Sequence, residues 1–222
     1  SRTGFTNSKL TLKTMTLHMI ASLRPVLLAF YLLLTGASAG LKRGKCADPD
    51  VVTNFSVNQY LGRWYEVSRD KYTIFELAAK CVTAKYTLKE DNGNVRVRNN
   101  SYYSLLGWVS VVGEAALADS SSGGADLEVA FGGNAPSGEN INYQVIDTDY
   151  DKYAVVYGGS QTAFGLACIE SLWVLSRHPT LSDYDFAKVK NAIEEKLPSY
   201  NYEGLASFTE QGSDCPYDNQ PE

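Results

Sequence analysis

The chain has 222 residues, of which 44% are hydrophobic, and a net charge of −5 at pH 7. Four of its 20 basic residues precede residue 40 and all 25 acidic residues follow it, so residues 40–222 carry a net charge of −9. Nucleic acids and anionic membranes are bound by clustered positive charge. The acidic balance therefore excludes both as expected partners.

The first 39 residues have the pattern of a segment that is removed during export. Arg24 is followed by an apolar run over 25–34 and by the small residues Ala37-Ser38-Ala39, which is typical of a secretory signal peptide. A transmembrane anchor is the alternative, but the run is shorter than the roughly 20 residues that a bilayer requires. We expect residues 1–14 to be upstream sequence that is absent from the native protein, 15–39 to be a signal peptide, and 40–222 to be one secreted, extracellular domain.

The cysteines indicate disulfides rather than a metal site. Cys46, Cys81, Cys168 and Cys215 are widely separated, no CxxC pair occurs, and His178 is the only histidine after residue 40. A zinc site would lack the usual paired ligand spacing. In an exported protein two disulfides are expected, and four cysteines permit three pairings. No metal ligands are predicted.

Eight short β-type runs alternate with turn-forming clusters between Gly62 and Arg177. In the run from Val95 to Asn99, the valines occupy one face and the arginines the other, which is the period-2 pattern of a strand with one packed and one solvated face. No helical pattern intervenes, so an antiparallel barrel or sandwich is expected. The predicted strands are 64–68, 81–88, 95–103, 108–117, 126–131, 143–148, 153–157 and 168–177.

One helix follows the strands. Ser182 is a candidate N-cap with Asp185 three residues later, and Pro198 ends the segment. An apolar stripe at helical spacing predicts a helix that packs outside the sheet; its members are Phe186, Val189, Ile193 and Leu197. Residues 40–60, by contrast, contain few helix signals and are predicted to be extended.

Three motifs in chain order resemble the signature regions of the lipocalins. Gly62-Arg63-Trp64-Tyr65 opens the first strand, Thr148-Asp149-Tyr150 precedes the seventh, and Arg177 ends the eighth. The resemblance covers residues 44–217 and is greatest to the branches of apolipoprotein D and of the crustacean carotenoid-binding proteins. It implies an all-β fold, an eight-stranded antiparallel up-and-down β-barrel with one C-terminal α-helix packed outside. It also implies that Trp64 and Arg177 close one end.

The same resemblance implies the disulfide pairs Cys46–Cys168 and Cys81–Cys215. One departure affects the first pair. The relatives carry the hairpin cysteine just after the seventh strand, where this chain has Gly158 and Gly159. A hairpin turning near residues 163–164 would bring Cys168 opposite Gly159 and preserve the bridge.

Alternation within the strands predicts the lining of the barrel. Outward arginines, lysines and glutamates place a set of mostly apolar side chains inside, where an amphipathic ligand would bind. Asn99 and Trp173 also resemble pocket positions of apolipoprotein D. For each apolar residue of the set, packing in the core and contact with a ligand are given equal weight. The predicted ligand-binding set is Tyr86, Val95, Val97, Asn99, Leu127, Val129, Phe131, Trp173 and Leu175.

The resemblance implies binding and transport of a small hydrophobic or amphipathic molecule such as a lipid, fatty acid or steroid, with no required cofactor. The first alternative is a pigment protein that carries a carotenoid or a bilin. The second is a lipocalin-type enzyme, which would need a free cavity thiol or an inward histidine. Paired cysteines and the position of His178 beside Arg177 argue against it. We therefore expect no catalytic residues.

Two surface features complete the predictions. Sequons occur at Asn54 and Asn99, but Asn99 is predicted to face the barrel interior, so only Asn54 is expected to be glycosylated. The loop from Tyr102 to Trp108 is unusually apolar. Packing at the rim is the simpler interpretation, and contact with a membrane, a lipoprotein particle or a second subunit is the functional one.

Overall fold

The computed structural model describes residues 41–73, 76–118, 123–162 and 165–222. The predicted upstream segment 1–14 and signal peptide 15–39 lie outside the described residues, and so do residues 163–164, at which the hairpin was expected to turn. The division of the chain at residues 14 and 39 therefore stays a prediction. Within the described ranges, no helix is both long and apolar enough to cross a membrane.

The strands form a closed antiparallel barrel, as predicted. Each of the eight barrel strands pairs with its neighbour in sequence, and the last pairs with the first, Tyr65 lying opposite Ser176. The predicted core of every strand is confirmed, although several extend by one to four residues. The barrel strands are β2 Gly62–Asp70, β3 Lys80–Leu88, β4 Val95–Tyr103, β5 Gly107–Leu117, β6 Asp126–Phe131, β7 Tyr143–Thr148, β8 Tyr153–Gln161 and β9 Ala167–Ser176.

Strand alternation separates an interior core from an outer one. Val95 and Val97 are buried inside the barrel, while Arg96 is exposed on the outer face. Trp64, Tyr86 and several small or branched residues of the other strands complete the interior cluster. Because the side-chain period in a strand is two, a register shift of one residue would expose this entire set.

The chain before the barrel is not uniformly extended, which corrects the prediction for residues 40–60. A three-residue strand, β1 Leu41–Arg43, pairs with β9, and a four-residue helix, α1 Val57–Tyr60, leads into β2. Ser56 caps this helix by accepting a hydrogen bond from the Gln59 amide. One helical turn is too short to produce a periodic apolar pattern, so the sequence carried no signal for it.

The predicted C-terminal helix is α2 Asp183–Lys196. The Ser182 hydroxyl accepts a hydrogen bond from the Asp185 amide, which satisfies one of the free N–H groups of the first turn. Val189, Ile193 and Leu197 are buried against the outer face of β7, β8 and β9. The stripe therefore packs outside the barrel and leaves the interior free.

A C-terminal segment completes the sheet beside β2. After a short helix, α3 Tyr202–Leu205, strand β10 Ala206–Phe208 pairs with the end of β2 that β3 does not reach. A 3-10 turn, Tyr217–Asn219, follows. The tail ends on the outer face, where Glu222 forms ion pairs with Arg63 and Lys85.

Both disulfides implied by the resemblance are present. Cys46 bonds Cys168 and Cys81 bonds Cys215, with Cα–Cα distances of 5.0 and 5.6 Å. Cys168 lies opposite Gln161 of β8 and not opposite Gly159 as expected, and Gly159 leaves room for Cys46 beside that strand. A Cβ at Gly159 would lie only 3.2 Å from the Cys46 Sγ, so a residue without a side chain lets the leader cross β8 there.

We expect the unfolded, unreduced protein to show no reactive thiol, because all four cysteines of the sequence are paired. Titration with a thiol reagent in denaturant checks this. After reduction, the same titration should find all four. One reactive thiol per chain before reduction would contradict the pairing and would restore a candidate nucleophile.

Candidate functional site

One end of the barrel is closed by a stacked tryptophan and arginine. Trp64 is fully buried, and the Arg177 guanidinium carbon lies 3.7 Å from the centre of its ring. The guanidinium also donates hydrogen bonds of 2.7–3.0 Å to the carbonyls of Gln59, Leu61 and Arg63. A cation over an aromatic face is attracted by the ring quadrupole, so charge and hydrogen bonding act together in this plug.

The turn between β7 and β8 supplies another acceptor for Arg177. Asp149 Oδ1 accepts the amides of Lys152 and Tyr153, and the Thr148 hydroxyl accepts the amide of Tyr150. These bonds hold Tyr150 at a φ of 65°, where its carbonyl accepts a 2.8 Å hydrogen bond from Arg177 Nε. All three sequence motifs therefore meet at the closed end.

A small apolar cavity lies directly inside this plug. Its free volume is about 20 Å³, which is room for one water molecule. Three tyrosines fill most of the surrounding space, because the hydroxyl of Tyr143 bonds to those of Tyr60 at 2.9 Å and Tyr86 at 2.8 Å. The lining comprises Phe55, Val57, Tyr60, Leu61, Tyr86, Val95, Ala115, Leu127, Val129 and Tyr143.

Burial keeps these three tyrosines uncharged. It raises the pKa of Tyr86 to about 12 and raises the pKa values of Tyr60 and Tyr143 well above the ordinary range. Their hydroxyls hydrogen-bond to one another, so the cavity presents ring faces and aliphatic groups. The deep end is therefore apolar and offers little to a polar group.

The predicted ligand-binding residues fall into three groups. Tyr86, Val95, Leu127 and Val129 line the deep cavity. Val97 and Leu175 are buried in the interior core, and Trp173 is partly buried against it. Asn99 and Phe131 lie farther from the closed end and are described next. Contact of any of these residues with a ligand stays a prediction.

Asn99 and Phe131 lie between the deep cavity and the open end of the barrel. The Asn99 Oδ1 atom is buried without a hydrogen-bond partner. Phe131 is 39% exposed at the end of β6, with its ring over Gly113, where a Cβ would lie 2.6 Å from the Phe131 Cδ1. Phe131 therefore belongs to the rim rather than to the deep pocket.

Sequence reasoning missed the part of the lining that comes from the leader. Phe55, Val57 and Tyr60 cross the closed end and contribute to the cavity, although this segment was predicted to be only an extended leader. Tyr60 immediately precedes the Leu61-Gly62 pair of the first motif. The position of Tyr60 next to this motif was the one signal in the sequence for its place in the lining. Strand alternation could not supply another, because Tyr60 precedes the first strand of the barrel.

A buried cluster of ionisable groups lies between the deep cavity and the open end. Arg69 Nη1 donates to Glu66 Oε1 at 2.6 Å, and Arg69 Nη2 donates to the carbonyl of Glu76 at 2.6 Å. Trp173 Nε1 donates to Glu76 Oε2 at 3.3 Å, and the Thr209 hydroxyl also contacts the cluster. Burial raises the pKa of Glu76 to about 8, and it raises the pKa of Glu66 as well.

The opposite end of the barrel is open. Val109 and Val111 lie on the inner face of β5, opposite Ser101 and Asn99, yet they are 39% and 48% exposed. Inward side chains with this exposure line a wide mouth rather than a packed core.

The loop from Tyr102 to Trp108 has a packed base and an exposed tip. Tyr102 packs edge-on against Trp108, whose indole N–H donates to the Pro216 carbonyl of the tail. Leu105 and Leu106, at the tip, are 97% and 75% exposed. The aromatic residues thus pack at the rim, and the leucines project from it.

A metal site requires grouped ligand side chains, and histidine chemistry in the cavity requires an inward histidine. No three His, Cys, Asp or Glu side chains there are grouped as metal ligands. His178 is exposed beside Arg177 at the closed end, far along β9 from the mouth.

The fold and site define a barrel closed at one end and able to hold a small apolar molecule, and comparison with known proteins identifies its family. Residues 55–209 match the model of the Lipocalin-like domain. The chain belongs to the lipocalin family. It is 38% identical over 173 residues to apolipoprotein D of Bos taurus, covering 76% of this chain and 87% of the relative. It is 33% identical over 171 residues to apolipoprotein D of Rattus norvegicus, covering 71% and 86%.

Solved structures agree on the fold. Lobster apocrustacyanin A1 superposes with a TM-score of 0.66 at 22% identity, covering 83% of this chain and 98% of that one. Insecticyanin from the tobacco hornworm Manduca sexta superposes with a TM-score of 0.65 at 18% identity, covering 79% and 91%. Both therefore share the barrel architecture with this chain.

Replacement of the plug arginine, Arg177→Met, should lower the free energy of unfolding by about 3 kcal/mol. The substitution removes the stacked cation and leaves the carbonyls of Gln59, Leu61, Arg63 and Tyr150 without their donor. Urea unfolding followed by tryptophan fluorescence measures the change. Arg96→Met, on the exposed face of β4, is the matched control, and equal losses in the two variants would contradict the role of the plug.

Proposed function

We propose that this protein binds and carries a small hydrophobic or amphipathic molecule, of the lipid, fatty acid or steroid class, in the barrel interior. The observation that carries the proposal is a cup lined by apolar side chains, sealed by Trp64 and Arg177 and open at the opposite end. Sites of this shape bury most of a ligand and orient it through a few polar groups. The curated relatives named apolipoprotein D are consistent with a lipid ligand.

We also propose that binding occurs without chemistry and without a required cofactor. All four cysteines form disulfides, so the cavity holds no free thiol nucleophile. A carotenoid or a bilin is retained as an alternative ligand, which would make the protein coloured. The bound molecule then defines the role of the protein, and the barrel serves as its carrier.

The proposed location is outside the cell. Two disulfides that tie the leader and the tail to the barrel favour an oxidising compartment. The apolar run and small residues that precede residue 40 agree with export.

Native mass spectrometry of protein purified from its source should detect a complex that is heavier than the polypeptide by the mass of one small molecule. Organic extraction should release that molecule, and its mass should place it among lipids, fatty acids or steroids. A visible absorption spectrum of the same sample decides the alternative, since a carotenoid or bilin absorbs visible light. Protein that is free of any bound molecule and takes up none of these classes would contradict the proposal.

The open end is also proposed to contact a lipid surface, from which a ligand could enter directly. All four loops at this end carry exposed aliphatic side chains, and few charges accompany them. The residues are Leu77, Leu105, Leu106, Ile141 and Leu166, with exposures between 46% and 97%. Because the chain is acidic, contact with the apolar part of an uncharged membrane or a lipoprotein particle is favoured over attraction to anionic headgroups.

Substitution of both loop leucines, Leu105→Ser with Leu106→Ser, should weaken binding to phosphatidylcholine vesicles by at least about tenfold, because each leucine loses its buried apolar area. Flotation with vesicles measures the bound fraction. Leu88→Ser is the matched control, since Leu88 is 42% exposed at the closed end of β3. Equal binding of the loop variant and the control would exclude this contact.

Glycosylation is proposed at Asn54 and not at Asn99. Asn54 is exposed in the leader, whereas Asn99 lies on the inner face of β4 with its Oδ1 atom buried. Glycopeptide mapping of protein from a secretory host should find sugar on Asn54 alone, and Asn54→Gln should abolish it. Sugar on Asn99 would contradict the inward register of β4.

A further inference from the structure

The buried cluster of Glu66, Arg69 and Glu76 places charged groups on the inner face of the barrel. Arg69 lies on the inner face of β2, opposite Trp173 of β9, and Glu66 lies opposite Leu175 on the same face. Glu76 enters from the loop after β2 and contacts the indole of Trp173. All three side chains are at least nine-tenths buried, so solvent screens their charges little.

Arg69 makes three hydrogen bonds to partners from the protein. Its Nη1 donates to Glu66 and to the hydroxyl of Thr209, and its Nη2 donates to the backbone of Glu76. Its Nε lies 3.9 Å from Glu76 Oε2. A ligand carboxylate could pair with this guanidinium only in competition with Glu66 on Nη1 or Glu76 beside Nε, and either displaced carboxyl group would remain buried without its partner.

The interior offers no other cation to a ligand. On the eight barrel strands, all of which the structure describes, Arg69 is the single basic residue at an inward-facing position. Arg63, Lys85 and Arg96 lie on the outer face. Arg177 is separated from the cavity by the ring of Trp64.

Acceptors, by contrast, are in excess. Glu66 and Glu76 bring two carboxyl groups to one guanidinium, and the Asn99 Oδ1 atom is buried without a donor. With Glu76 protonated the cluster is neutral, and with Glu76 ionised it is negative. In both states a carboxylate on the ligand is unfavourable, because it adds a further negative charge to the cluster. A hydroxyl group on the ligand can instead donate a hydrogen bond to one of these acceptors without adding charge.

From this arrangement we infer that the cup selects uncharged amphiphiles carrying a hydroxyl group and rejects those that end in a carboxylate, with Glu66 and Glu76 as the residues that determine this specificity. The inference rests on the proposed carrier function and narrows its ligand class. The apolar part of the ligand lies toward the tyrosines of the deep cavity, and its polar end lies near Asn99 and the cluster.

A ligand pair that differs only in its end group tests the inference. All-trans retinol and all-trans retinoic acid share one polyene and differ in a hydroxyl against a carboxylate. Quenching of tryptophan fluorescence at neutral pH should give a dissociation constant for retinol at least about tenfold lower than for retinoate. This comparison uses the unaltered protein and does not depend on the folding of any variant.

The double variant Glu66→Gln with Glu76→Gln should reverse the selection, because it removes both carboxyl groups that face the Arg69 charge. Retinoate should bind about tenfold more tightly than to the unaltered protein, and retinol within about twofold of its original affinity. Glu139→Gln, which makes the same type of substitution on an exposed loop, should alter neither constant. Thermal unfolding confirms that each variant is folded.

The outcomes separate this inference from the proposed function. Equal or tighter binding of retinoate by the unaltered protein would overturn the charge selection and leave the carrier function intact. Binding of neither retinoid, tested together with an uncharged sterol, would overturn both. A folded double variant that gains no affinity for retinoate would show that Glu66 and Glu76 do not govern the selection.

Discussion

The closed end depends on one guanidinium. Arg177 binds the carbonyls of Gln59, Leu61, Arg63 and Tyr150 while its plane covers Trp64. These acceptors come from α1, β2 and the turn between β7 and β8, so a single side chain ties the start of the barrel to its last turns. Because β9 also closes the sheet against β2, the plug and the closure of the barrel stabilise each other.

Closure of the barrel at this end determines which parts of the chain can occupy its interior. Helix α2 packs outside, so the interior is left to inward strand residues and to the leader segment that crosses the plug. Tyr60, Tyr86 and Tyr143 then occupy the bottom with their hydroxyls satisfied among themselves. The interior therefore changes from apolar ring faces at the bottom to ionisable groups in the middle and to exposed valines at the mouth.

The sequence was sufficient to predict those strands and helices whose residue pattern is local. Strand β4 has the predicted bounds because its valines and arginines alternate between two turns, and α2 begins after Ser182 because cap and stripe coincide. Helix α1 is one turn long and left no periodic signal. The tyrosine cluster joins residues more than eighty positions apart in the chain, and no pattern within one strand reports such a contact.

The residue pattern within a single strand also could not reveal the charge cluster of Glu66, Arg69 and Glu76 in the barrel interior. Strict alternation from Trp64 would place Ser68 inside and Arg69 outside. A bulge between Glu66 and Ser68 shifts the register of β2 against β9, and a bulge changes the face on which the later residues lie. Arg69 consequently turns inward beside Glu66, and the backbone carbonyl of the loop residue Glu76 accepts a hydrogen bond from Arg69 Nη2. One inserted residue thus converts an apolar cup into one that also discriminates by charge.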